Sequence, residues 1–75
     1  MPKPPRVSGK LTVRALEKLG FVQVRQKGSH VILKKATKSG AIGCVVPLHD
    51  ELATGTLRGI LKQAGVELDD FVEIL

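Results

Sequence analysis

The spacing of apolar positions divides the chain into a helix, three short extended runs and two further helices. Leu11, Ala15, Leu16 and Leu19 recur at helical spacing, with Ser8 placed to cap and Gly20 to stop. This predicts a first helix over roughly Lys10 to Leu19. The period then shortens. Phe21 to Gln26, Ser29 to Lys35 and Ala41 to Pro47 read as strands, separated by Lys27-Gly28 and by the cluster Thr37-Lys38-Ser39-Gly40, the punctuation of an antiparallel meander. In the middle run Val31 and Leu33 alternate with His30, Ile32 and Lys34. If the first pair faces the helices, His30 and Lys34 share the opposite face. Leu57, Ile60, Leu61 and Ala64, at i, i+3, i+4 and i+7, predict a second helix that starts at Thr54 or Gly55 and ends at Gly65. Gly59 in its interior costs about 1 kcal/mol unless something approaches closely there. Asp69, Asp70, Phe71, Val72, Ile74 and Leu75 predict a short acidic terminal helix docked by its apolar side.

The fold class expected is α+β in the order αβββα plus a short C-terminal helix: a three-stranded antiparallel sheet with two helices on one face and the other face partly open. A single domain is expected over residues 8–75, with residues 1–7, which include Pro2, Pro4 and Pro5, as a flexible tail. At 75 residues a chain without disulfides or metal should be marginally stable, by about 3–5 kcal/mol. The lone Cys44 excludes an internal disulfide and reads as a buried small hydrophobe. No apolar stretch approaches the length of a membrane helix, and prolines stand where a signal peptide would be apolar, so no membrane partner and a cytosolic location are expected.

Charge sharpens the picture. Net charge is +5, but Met1 to Lys38 carries ten lysines and arginines against Glu17 alone, while Ser39 to Leu75 carries two against six acids. A basic first half attracts phosphate backbones or an acidic protein. Lys10, Arg14 and Lys18 form an i, i+4, i+8 row on the first helix, either a solvated face softened by Glu17 or an RNA-facing stripe.

The chemistry available is narrow. Two histidines, one cysteine and a few carboxylates lack the spacings of a zinc or calcium site, so no metal and no cofactor are expected. There is no phosphate-binding glycine loop and no Gly-x-Ser-x-Gly turn. What remains is Lys27-Gly28-Ser29-His30. A glycine turn lets a phosphodiester come close, Ser29 and local N–H groups can hold phosphate oxygens, Lys27 adds positive charge, and an imidazole can exchange a proton near neutral pH. His49, in Val46-Pro47-Leu48-His49, reads instead as the organiser of the loop into the second helix. Thr54-Gly55-Thr56 can cap that helix or offer free N–H groups to an anion.

Taken in order, Leu19-Gly20-Phe21, Lys27-Gly28-Ser29-His30, Val46-Pro47-x-His49 and Gly55-Thr56-Leu57-x-x-Ile60-Leu61-Lys62-Gln63-Ala64-Gly65 resemble the successive signatures of HicA toxins. The resemblance implies a double-stranded-RNA-binding-domain-like fold, endonucleolytic cleavage of mRNA, and neutralisation by a HicB-type antitoxin. It places the catalytic role on His30 and gives His49 no comparable proton-transfer role. The expected substrate contacts are Lys27, Gly28, Ser29 and Lys34, with Lys10, Arg14 and Lys18 on the helix. RNA carries its own nucleophile, the 2′-OH, so a base and cationic stabilisation of the phosphorane suffice. The alternatives are a non-catalytic RNA-binding module of the same fold, which needs no stacking aromatics, and an adaptor whose basic face meets an acidic protein.

Overall fold

A computed structural model of the chain describes residues 4–75, in the order α1 (Gly9–Lys18), β1 (Val22–Lys27), β2 (His30–Thr37), β3 (Gly40–Pro47), α2 (Thr54–Ala64) and α3 (Leu68–Ile74). The strands form one antiparallel sheet in the order β1-β2-β3. This is the α+β, αβββα arrangement expected from the pattern, with the short C-terminal helix in place. Val31 and Leu33 of β2 and Cys44 and Val46 of β3 turn into a single core with Val13, Leu16, Leu57, Ile60, Leu61 and Phe71 from the helices. The helices pack over β3, leaving every residue of β1 exposed at the edge of the sheet.

Ser8 caps α1 as its side chain suggests, accepting the N–H of Leu11 at 3.0 Å. The buried face is rotated from the one the leucines mark: Gly9, Thr12, Val13, Ala15 and Leu16 are buried, while Leu11 is 50% exposed. Thr12 can occupy the interior because its hydroxyl donates to the Ser8 carbonyl at 2.9 Å, so no polar group is stranded there. The expected tail also ends sooner. Val7 is a core residue, and its carbonyl accepts the N–H of Leu52 at 2.8 Å. Residues 1–3 of that tail lie outside the described residues.

The stripe Leu57, Ile60, Leu61, Ala64 is buried as the spacing requires, and Gly65, in the left-handed region, closes α2. Neither threonine caps this helix. Its N-cap is Ala53, and no side chain bonds to the first turn. A Cβ at Gly59 would meet nothing within 4 Å, so the chain's own packing does not require glycine there. Gly59→Ala is therefore expected to stabilise the domain by about 1 kcal/mol. The measurement is a thermal melt, which should rise by roughly 4–8 °C for a chain of this size.

Candidate active site

The β1–β2 hairpin turns through two residues, Gly28 and Ser29, between the paired Lys27 and His30. Gly28 opens the turn at φ 59°, a backbone angle that a glycine in the first position of a tight hairpin adopts without strain. A Cβ there would meet nothing, so the outer side of the turn is open space. The Gln26 side-chain amide donates to the Gly28 carbonyl at 3.1 Å, bracing the turn from the strand before it. From the other side the Leu48 N–H donates to the Ser29 carbonyl.

His30 thus begins β2 on a rung of three residues, with Lys27 across from it on β1 and Pro47 on β3. Val31 points into the core, and the exposed His30 takes the opposite face, as the alternation predicts. Ser29 Oγ lies 3.5 Å from His30 Nδ1, beyond a good hydrogen bond. The next rungs on this face carry Arg25, Ile32 and Val45, then Val22, Lys34 and Gly43. The open face has a half-covered apolar middle with cations at its margin.

The expected contact residues do not form one cluster. Lys27, Gly28, Ser29 and His30 are contiguous at one end of the sheet. Lys34 shares the face but lies four residues along β2, about 13 Å from His30 at the rise of a strand. On α1, Lys10 is in the first turn, at the end that touches the β3–α2 loop through the Gly9 N–H and the His49 carbonyl (2.9 Å). Lys18 is in the last turn, where its Nζ donates to the Ile74 carbonyl at 3.0 Å. Helix α1 spans about 15 Å, so Lys10, Arg14 and Lys18 do not all reach one phosphate. His49 organises its loop by its backbone carbonyl; its side chain is exposed.

Arg25 was not singled out by the strand pattern, yet it sits between Lys27 and Lys34 on the open face. The hairpin register places it opposite Ile32, two residues before Lys27 on the same face, and the register shift between Gln23 and Arg25 falls beyond it, setting Val22 rather than Gln23 opposite Lys34. Cys44 faces the core, and burial pushes its thiol up, which leaves it protonated and a poor nucleophile. Among the described residues, no three His, Cys, Asp or Glu side chains come together in a way that could hold a metal ion. None of the described helices is long and apolar enough to cross a membrane.

The family model for the HicA toxin of bacterial toxin-antitoxin systems matches residues 9–66, which takes in the hairpin, the open face and α2. The chain belongs to the HicA toxin family. A comparison with curated proteins gives no match. As a HicA toxin, the protein has an antitoxin as its partner, and the match begins at Gly9, the residue that joins α1 to the β3–α2 loop.

Proposed function

We propose that this toxin is a metal-independent endoribonuclease that cuts mRNA with His30 as general base, and that a HicB-type antitoxin neutralises it. The observation that carries the reading is the placement of His30. It is an exposed imidazole on the terminal rung of an open sheet face, directly across from Lys27 and beside a turn with unoccupied space over Gly28.

In this reading the phosphodiester lies over Gly28, where no side chain holds it off, and Lys27 offsets charge as it builds on the phosphorane. His30 accepts the 2′-OH proton while the 2′ oxygen attacks phosphorus. The bond to the 5′ oxygen breaks, leaving a 2′,3′-cyclic phosphate and a 5′-hydroxyl. The group that protonates the departing oxygen is His30 in turn, a lysine, or water. Lys34, Arg25 and Lys10 are too spread to act on the same phosphate and instead hold the strand on either side of it. The antitoxin is expected to cover this face, where a basic margin around Val45 and Ile32 offers both charge and apolar area to an acidic partner.

Purified toxin should shorten RNA in excess EDTA. Gel assays of a structured mRNA with and without chelator test the point. Absolute dependence on Mg²⁺ would redirect attention to Asp50 and Glu51; RNA binding without any cleavage would leave a binding module.

A further inference from the structure

The first residue of α1 lies tight against the backbone at the end of β3. A Cβ built on Gly9 would stand 1.9 Å from the Pro47 carbonyl oxygen and 2.9 Å from the Leu48 Cα. Both obstacles are backbone. Gly9 is not among the glycines with positive φ, so its conformation would accept any residue, and space alone excludes a side chain. Ser8 spends its cap on the Leu11 N–H, leaving the Gly9 N–H to donate across the chain to the His49 carbonyl at 2.9 Å. The segment Gly9 presses on is the one that borders His30. Pro47 is its β3 neighbour, and the Leu48 N–H donates to the carbonyl of Ser29, the residue before it.

Resting on the ribonuclease reading above, we infer that Gly9 is a positioning residue for His30. By admitting the first turn of α1 against Pro47 and Leu48, it fixes the end of β3 that in turn fixes the Ser29–His30 entrance to β2. The consequence is mechanical. A methyl group at position 9 must separate α1 from β3 by more than an ångström to regain ordinary contact. The separation strains the rung that aims the imidazole and breaks the Gly9–His49 bond, while Lys27, Arg25 and Lys34 stay where they are. Substrate grip and chemistry should therefore part company.

The test is Gly9→Ala, placed in the Gly59→Ala background to offset lost stability, with folding followed by circular dichroism. RNA cleavage is measured at saturating and limiting substrate. The expected result is a folded protein whose kcat falls by about 10²-fold, the scale of an ångström-sized misplacement, with KM changed less than about threefold. Val13→Ala, on the core side of the same helix and away from its first turn, should lower stability yet keep kcat per folded molecule. An unchanged kcat in folded Gly9→Ala, beside a His30→Ala protein that no longer cuts, would overturn the positioning role and leave the ribonuclease reading standing. Normal cleavage by folded His30→Ala would remove both. Should Gly9→Ala not fold even in the stabilised background, amide exchange in the unaltered toxin decides. Protection of the Gly9 and Leu48 amides at the level of the core supports the clamp, whereas a Gly9 amide that exchanges like a frayed helix end overturns it.

Discussion

His30→Ala is expected to reduce RNA cleavage by about 10²–10⁴-fold, the usual cost of losing a general base, while leaving the fold and most RNA binding intact. His30 is exposed on the face opposite Val31 and Leu33, so truncation opens no core cavity. Lys27, Arg25 and Lys34, proposed to hold the strand, need no imidazole to do so. His49→Ala is the comparison. Its side chain is exposed and its structural bond is made by the backbone carbonyl, which alanine keeps. The folded His49→Ala protein should therefore cut at close to the original rate. Single-turnover cleavage of a labelled mRNA by both variants, after their circular dichroism has been matched to the unaltered protein, separates the roles. A folded His30→Ala protein that still cuts at nearly the original rate would sink the assignment.

Phe71→Ala is expected to unfold most of the population at ambient temperature. Phe71 is fully buried and is the one buried residue of α3. A helix of seven residues has no stability of its own in water, so docking of this ring holds it in place. Removing a buried phenyl costs about 3–5 kcal/mol, as much as the whole margin of roughly 3–5 kcal/mol expected of so small a domain. Loss of α3 also frees the Lys18 ammonium from the Ile74 carbonyl, but that exposed contact adds little. Urea titration monitored at 222 nm measures the effect, and Phe71→Leu, which refills part of the cavity, should restore much of the loss. A Phe71→Ala protein with an unchanged midpoint would mean that α3 is not part of the cooperative fold.

Much of the architecture can be read from local pattern because side-chain direction follows backbone period. Alternation in β2 sends His30 away from Val31, and the i, i+3, i+4, i+7 spacing of Leu57 to Ala64 marks the inner side of α2, whatever else the chain does. The turn glycine and the cap at Ser8 are equally local, since each answers to the backbone of its own few residues. The family resemblance was available in the same way, as short runs of residues in a fixed order.

What the sequence by itself determined about this protein is the order of its elements, the two hairpin turns and the face on which His30 stands. Only the tertiary structure decided that Leu11 yields the interior of α1 to Thr12 and Val13, and that Val7 belongs to the core. The same holds for the register shift that sets Val22 rather than Gln23 opposite Lys34, and for the distances that separate Lys18 and Lys34 from the imidazole. It alone accounts for Gly9 as well. The reason is physical: periodicity fixes directions relative to one backbone, whereas burial, reach and close approach depend on which distant segment lies across from it. The Pro47 carbonyl that forbids a side chain at position 9 comes from nearly forty residues away, and no local rule in the first helix announces it.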